Sequence, residues 1–296
     1  MSPIVSIIIP AYNAEPFLGE TIQSVIHQEF TDWELIIVDD GSTDKTQIIV
    51  EKFTSDPRIT YLYKKNEGVS LARNSGFTQS KGAYVAFLDA DDLWKKDRLE
   101  KMLSKFEGDS ALGLVHSYVQ EIDENSQLLP TVYRGKEGYI LESLLLGDGC
   151  NIPAPSSILL KREVVDTVGG FNPELSTSAD KEFFFRVASK FKIGMVQEIL
   201  GLYRIHSNNM HSNIDRMEAD NLKAYRLAEK NNLFKSEHFR RKCFANMYYI
   251  LGNCYRVLAK NKAKWLTCVG KSLLYNPILL KRYLKDIYKG KYSISH

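Results

Sequence analysis

Apolar residues in the first third of the chain fall in short unbroken runs, separated by segments where they recur every three or four positions. The first run, residues 5–9, is aliphatic apart from Ser6, is closed by Pro10 and opens into Ala11-Tyr12-Asn13. Runs of this length without polar alternation predict strands buried on both faces. After it, Phe17, Leu18, Ile22, Val25 and Ile26 keep helical spacing, and Pro16 suits a first turn. Residues 35–38 predict a second strand ending at Asp39-Asp40-Gly41-Ser42-Thr43-Asp44. Gly41 there permits a tight turn, and Ser42 or Thr43 can cap a helix through Ile48, Ile49 and Phe53. Residues 59–63 predict a third strand, 68–78 a helix carrying Arg73 and Asn74, 84–88 a fourth strand, and 94–106 the next helix.

Strand and helix thus alternate four times with short connections, which predicts right-handed crossovers and a parallel sheet. Ligands of such sheets sit beyond the carboxyl ends of the strands. Three polar clusters fall at those ends: residues 10–13, Asp39 with Asp40, and Asp89 with Asp91. Alternation along an extended chain points Asp89 and Asp91 the same way and leaves Asp92 free to cap the following helix. Adjacent carboxylates repel and need a proton, a basic partner or a divalent cation, and no Lys or Arg follows until Lys95 and Lys96. The pair is therefore read as a site for Mg²⁺ or Mn²⁺, with solvated or helix-capping acids as the alternative.

The rhythm changes after Phe106. Residues 112–120 and 156–160 predict strands separated by a loop and a helix over 138–146, so this half is mixed rather than regularly wound. Gly169-Gly170-Phe171-Asn172-Pro173 reads as a turn, and Ser178-Ala179-Asp180 leads into an amphipathic helix whose aromatics Phe183, Phe184 and Phe185 face the core. Residues 193–196 and 201–205 predict two strands, the second delivering Tyr203, Arg204 and His206 to a loop rich in Ser and Asn. From about Ile214 only helices are expected, one pair of them resembling a single tetratricopeptide-like hairpin. One copy cannot stack into a solenoid, so the division is a domain over residues 1–213 and a helical extension, packed on it, over 214–296.

Composition adds three constraints. A chain of 296 residues with 44% hydrophobic and 25% charged content can build a substantial soluble core. Cys150, Cys243, Cys254 and Cys268 show neither metal-ligand spacing nor disulfide-scaffold density, which points to free thiols and a cytosolic setting. No signal peptide is visible and no apolar run reaches the roughly 18 residues of a membrane span. The net charge of +3 conceals a division: residues 216–296 hold 18 Lys plus Arg against 5 Asp plus Glu, while residues 1–215 hold 21 against 31. An acidic body suits cation binding, and a basic tail suits an anionic partner. Within that tail, residues 277–292 predict a basic amphipathic helix able to lie on the anionic inner face of a membrane, or else to pack on the core.

Five strings, 5–13, 37–44, Ala72-Arg73-Asn74, Asp89-Ala90-Asp91-Asp92 and Tyr203-Arg204-Ile205-His206, together resemble a family 2 glycosyltransferase over roughly residues 3–210. The resemblance implies the α/β GT-A fold, a Rossmann-like mixed sheet, and inverting transfer of a sugar from a nucleotide-diphosphate donor to a hydroxyl of a glycan or lipid-linked saccharide. By similarity Pro10, Ala11, Tyr12 and Asn13 line the base pocket. Asp39 accepts a hydrogen bond from a ring N–H, which favours UDP- or dTDP-sugars. Asp89, Ala90 and Asp91 border the ribose and diphosphate. Asp91, with Asp89 close by, holds the divalent metal, and His206 approaches the metal or the diphosphate. Arg73 supplies positive charge on the nucleotide side, unless it pairs with Asp40 or Asp44. The family's base is the Asp of a Glu-Asp pair opening the late helix, and Ala179-Asp180 occupies that place here. Asp180 is the expected base, Glu182 the fallback, and the family's Glu is absent. The loop over 147–157 faces the acceptor.

Other classes fit less well. A nucleotidyltransferase of similar fold needs a glycine-rich basic loop after the first strand, and residues 11–19 contain one glycine and no Lys or Arg. A receiver-like Mg²⁺ switch lacks the mixed second half. A protein that binds sugar nucleotides without transfer shares every motif and differs only in turnover. Nucleic acid is not expected as a partner, since the basic tail carries no recognised motif.

Overall fold

The computed structural model describes residues 2–207 and 213–289. Its first half winds as the apolar runs predict. Strand β1 (Val5–Ala11), helix α1 (Leu18–Ile26), β2 (Trp33–Asp39), α2 (Thr46–Glu51), β3 (Ile59–Tyr63), α3 (Val69–Gln79) and β4 (Tyr84–Phe87) follow in order. The four strands lie parallel in the order β3-β2-β1-β4. Ile7, Ile8 and Ile9 are all fully buried, as a central strand covered on both faces requires.

Beyond β4 the sheet becomes mixed. It continues through β8 (Ile158–Lys161), β6 (Leu112–Ile122), β9 (Lys192–Arg204) and the two-residue β5 (Leu93–Trp94), while β7 (Leu128–Tyr133) hangs on β6. Between these lie α4 (Arg98–Glu107), α5 (Leu141–Leu146), α6 (Arg162–Val168) and α7 (Ala179–Ala188). Several boundaries differ from expectation, each for a tertiary reason. The helix predicted from Trp94 starts at Arg98, because Leu93 and Trp94 pair with Leu202 and Gly201 of β9. Helix α2 starts at Thr46, not at a Ser42 or Thr43 cap, and the Asp44 carboxylate accepts the Thr46 N–H at 3.0 Å. The two strands predicted at 193–196 and 201–205 are one, kept continuous by bulges in its pairing with β6. Strand β7, read as loop, carries Pro130, which an edge strand tolerates.

Two apolar layers sandwich the sheet. One joins Ile7, Ile9, Leu18, Ile22, Leu99 and Met102 on the α1 and α4 side. The other joins Ile8, Phe87, Phe171, Phe183 and Val187 on the α7 side and runs without a break into the C-terminal helices. These are α8 (Ile214–Lys230), α9 (Glu237–Val257), α10 (Lys262–Tyr275) and α11 (Leu280–Lys289). The Tyr225 hydroxyl donates to the Leu145 carbonyl at 2.7 Å and the Asn246 amide to that of Leu146 at 2.6 Å, so α8 and α9 satisfy the open carbonyls at the end of α5. None of the four cysteines is bridged, and among the described residues no helix is long and apolar enough to cross a membrane.

Candidate active site

The rim is built from strand ends. Pro10 and Ala11 sit opposite Val38 and Asp39, and the Asp40 N–H donates to the Ala11 carbonyl at 2.8 Å. Beyond the strand, Asn13 adopts a left-handed backbone (φ 48°), which Asn tolerates. That turn lets its side-chain oxygen accept the Thr43 N–H at 2.8 Å while its own N–H donates to Ser42 Oγ at 2.9 Å. The two loops are thereby locked together, with the Tyr12 ring exposed. Buried Asp39 accepts the Ser42 N–H at 2.8 Å on one oxygen and the Tyr61 hydroxyl at 2.7 Å on the other. Burial and that carboxylate raise the Tyr61 proton affinity, so the phenol stays a donor.

Asp40, also buried, holds the first turn of α3. Its oxygens accept the Glu67 N–H at 3.0 Å and the Gly68 N–H at 2.7 Å, where Gly68 takes φ 95°. Fixing that turn aims Arg73, one face along α3, at the acids. Arg73 pairs with Asp89, 2.5 Å from guanidinium to Oδ1, and not with Asp40 or Asp44. The chain leaves β4 in a turn closed by the Asp92 N–H on the Asp89 carbonyl, so the expected strand alternation does not extend to these acids. They go to different partners. Asp91 Oδ2 lies 2.9 Å from His206 Nε2, whose ring leans on Phe17 at 5.1 Å between centroids. Asp92, expected as a helix cap, is instead buried beside β9, where its Oδ1 accepts the Arg204 N–H at 3.0 Å. Burial, reinforced by the Asp91 and Asp89 charges, lifts Asp92 well above the usual carboxylate range.

Arg204 organises this end. Fully buried, it donates to the Asp91 carbonyl at 2.8 Å, pairs with Glu20 at 2.8 Å and lies over the Phe17 ring at 4.7 Å. Its motif position was legible, but its work of fixing the acid turn to α1 was not, because Glu20 and Phe17 are remote in sequence.

Among the described residues no group of three or more His, Cys, Asp or Glu gathers as a ready-made metal cage. What is present is one carboxylate with one imidazole, Asp91 and His206, while Asp89 is engaged by Arg73. Such a donor set fits a divalent cation that draws its remaining ligands from phosphate oxygens and water.

Asp180 opens α7 on the same rim. It is partly buried and accepts the Lys181 N–H at 2.8 Å. Burial raises its proton affinity; Lys181 and Arg73 oppose the shift and the Asp89 charge adds to it, which puts Asp180 within electrostatic range of the Arg73–Asp89 pair. Glu182 is buried and clasped by Arg186 with two contacts of 2.8 Å, so the fallback base is occupied as a structural ion pair. The loop before α7 is pinned from α8. Asp220 Oδ2 accepts both the N–H and the hydroxyl of Ser176 and of Thr177, at 2.8 to 3.0 Å, and the Lys181 ammonium donates to Asn221. Nothing local marks Asp220 as part of this arrangement; it sits on an ordinary amphipathic helix.

The matched family model is glycosyl transferase family 2, over residues 6–169. TuaG of Bacillus subtilis (strain 168), provisionally assigned as a teichuronic acid biosynthesis glycosyltransferase, is 32% identical over 79% of this chain and 92% of its own length. An uncharacterized glycosyltransferase of Nostoc, alr2836, is 33% identical over 70% of this chain and 66% of its own. Chondroitin synthase of Escherichia coli is 29% identical over 70% of this chain, which spans only 30% of that longer protein. In structure the chain resembles S. aureus TarS 1–349, solved also with UDP-GlcNAc, at TM-score 0.67 and 19% identity over 94% of this chain and 81% of that one. It also resembles the mannosyltransferase PcManGT of Pyrobaculum calidifontis, solved with GDP-Man and Mn²⁺, at TM-score 0.63 and 17% identity over 98% and 82%. The mixed sheet, its acid-lined rim and these likenesses together make the chain a glycosyltransferase of family 2 with the GT-A fold.

Proposed function

We propose that the chain transfers a sugar, with inversion, from a UDP- or dTDP-sugar to a hydroxyl of a glycan or lipid-linked saccharide. The observation that carries this reading is the sharing of one rim by Arg73–Asp89, Asp91–His206 and Asp180. Pro10, Ala11, Tyr12 and Asn13 wall the base, and Asp39, held still by Ser42 and Tyr61, has lone pairs left for a ring N–H. Arg73, already neutralised by Asp89, fixes that carboxylate toward the ribose and diphosphate rather than meeting the phosphates alone. A divalent cation, Mn²⁺ or Mg²⁺, held by Asp91 with His206 beside it and Asp89 near, would supply Lewis-acid stabilisation for the charge gathering on the departing nucleoside diphosphate. Asp180 takes the proton of the attacking hydroxyl, and burial, which raises its proton affinity, makes it a stronger base than an exposed carboxylate.

The helices after residue 213 are taken as an extension that seats the chain on an anionic membrane surface from the cytoplasmic side. Tyr283 of α11 is buried against the Tyr249 ring, at 5.0 Å between centroids, while Ile278, Leu280 and Leu284 stay exposed beside Lys281 and Lys285. An apolar stripe edged by ammonium groups complements anionic lipid. The last residues of the basic segment, 290–292, lie outside the described residues.

Thermal-shift titration with UDP-, dTDP- and GDP-sugars, with and without Mn²⁺, tests the donor. Stabilisation by UDP- or dTDP-sugars is expected, and a response to none of them would exclude the donor site. Sedimentation with phosphatidylglycerol vesicles, for the full chain and for Leu280→Ser/Leu284→Ser, tests the surface. Equal partitioning of the two proteins would refute it.

A further inference from the structure

The turn that carries the acids is held from four sides, and one of the holders, Ser156, has no part in the donor site described above. Just past β4, the Leu88 N–H still donates to the Ile8 carbonyl of β1 at 3.0 Å. One residue on, the Asp89 N–H has left the sheet and meets the Ser156 hydroxyl at 3.1 Å. A backbone N–H shielded from water needs an acceptor, and here the serine takes over where the strand stops. The Ala90 carbonyl accepts the Thr21 hydroxyl of α1 at 2.9 Å, and the Asp91 carbonyl accepts Arg204 of β9 at 2.8 Å. Helix α3 reaches the same turn through Arg73.

Ser156 is itself gripped. It lies buried in the 3₁₀ turn Pro155–Ser157, which runs straight into β8. The Ser157 hydroxyl closes that turn on the Ala154 carbonyl at 2.7 Å. The Ser156 carbonyl accepts Trp94 Nε1–H at 2.8 Å and Arg98 Nη2–H at 3.2 Å. Arg98 Nη2 also reaches the Ile158 carbonyl at 3.1 Å, and its guanidinium lies over the Trp94 ring at 3.9 Å. Fully buried, Arg98 meets carbonyls instead of a carboxylate among the described residues, and its Nε and Nη1 have no hydrogen-bond partner there. Burial pushes its pKa down to about 9, so it is still charged at neutral pH. A charge buried on these terms costs stability that an apolar side chain would keep. Stability therefore does not account for Arg98; the fixed place it gives Ser156 does.

We propose that Ser156 is a positioning residue for the donor's cation: bracketed by Trp94 and Arg98, its hydroxyl sets the start of the acid turn so that Asp91 meets the metal in one fixed place. The proposal rests on the cation reading above. Without that hydroxyl the Asp89 N–H has no acceptor, the turn loses its hold on the β8 side, and Asp91 has to be ordered when the cation binds. The cost falls on metal binding. The base pocket, built from the ends of β1 and β2, is untouched.

Mn²⁺ titration of the full chain with saturating UDP tests this, read by the paramagnetic resonance of free Mn²⁺ and corrected for Mn²⁺ bound to UDP itself. Ser156→Ala should need about five- to tenfold more Mn²⁺ for half-saturation, the size expected when a partner behind a metal ligand is lost. Trp94→Phe keeps a ring under Arg98 and removes one donor to the Ser156 carbonyl, so it should weaken Mn²⁺ binding by about twofold. Ser157→Ala loses a buried hydroxyl of the same turn and should melt at a lower temperature with Mn²⁺ binding unchanged. UDP-induced thermal stabilisation in EDTA should be equal in wild type and all three variants. Wild-type Mn²⁺ binding in Ser156→Ala, an equal loss in Ser157→Ala, or weaker UDP stabilisation of Ser156→Ala in EDTA overturns the positioning role. If Ser156→Ala does not fold, wild-type Mn²⁺ binding by Trp94→Phe overturns it. Absence of UDP-dependent Mn²⁺ uptake by wild type overturns the cation reading, and the role of Ser156 with it.

Discussion

Arg73 and Asp89 lie 2.5 Å apart, guanidinium against carboxylate, with Arg73 almost wholly buried and Asp89 about a quarter exposed. The pair separates two acids that stand only two residues apart in the chain: Asp89 is tied to α3 through Arg73, and Asp91 to the segment just after β9 through His206. Replacing either therefore has a different consequence. Asp91→Asn should lower transfer by about 10²-fold or more, as loss of a group that stabilises developing charge does, with the melting temperature nearly unchanged. Asp89→Asn should in addition destabilise the fold by about 1–3 kcal/mol, because a buried guanidinium loses its charged partner. Initial rates over a Mn²⁺ titration and thermal melts distinguish the two, and equal melting temperatures for both variants would contradict the division.

Asp180→Asn should keep donor affinity and lose turnover by about 10²–10⁴-fold, a kcat effect expected of a missing base. The pH dependence follows from the raised proton affinity. A carboxyl whose folded pKa exceeds its unfolded value of about 3.9 stabilises the fold fully below that value and loses the contribution as pH rises through the folded pKa. Wild type should thus be no more stable than Asp180→Asn at pH 7, and any gap should close below about pH 4. In the same window kcat of wild type should fall as acid protonates the base. A kcat independent of pH from 4 to 7 would place the proton acceptor elsewhere.

Glu182→Gln should leave kcat within about twofold, since Arg186 already holds both carboxylate oxygens, and should cost stability by breaking a buried ion pair. Loss of turnover with an intact melting temperature would instead return Glu182 to the role of base.

Asp220→Ala removes an oxygen that gathers four hydrogen bonds from Ser176 and Thr177. Two backbone N–H groups lose their acceptor, so a loss of about 1–3 kcal/mol is expected. Faster amide exchange over residues 175–181 should accompany it, with α1 and β1 unaffected. Asp220→Asn, which keeps one acceptor oxygen, should recover most of the protection. Unchanged exchange in Asp220→Ala would show that α8 does not hold the loop before Asp180.

Much of the first half was legible because its physics is local. Unbroken aliphatic runs such as residues 5–9 specify central strands, and helical spacing from Phe17 to Ile26 specifies the crossover, so the strand ends carrying Asp39 and Asp89 could be located from periodicity alone. The hydrogen bond from Tyr133 of β7 to Glu121 of β6 could not, because cross-strand neighbours are set by register, and β7 carries no clean alternation to announce it.

The residues themselves determined the alternating parallel half, the acids at its edge, the helical character after Ile214 and the membership of family 2. Only the tertiary structure decided which partner each acid takes: Arg73 for Asp89, His206 for Asp91, the Arg204 backbone for Asp92 and Arg186 for Glu182. The reason is range. Periodicity and propensity act over a few residues, whereas a carboxylate's partner is whichever donor the packed sheet brings within about 3 Å, and here most of those donors come from other elements of the fold.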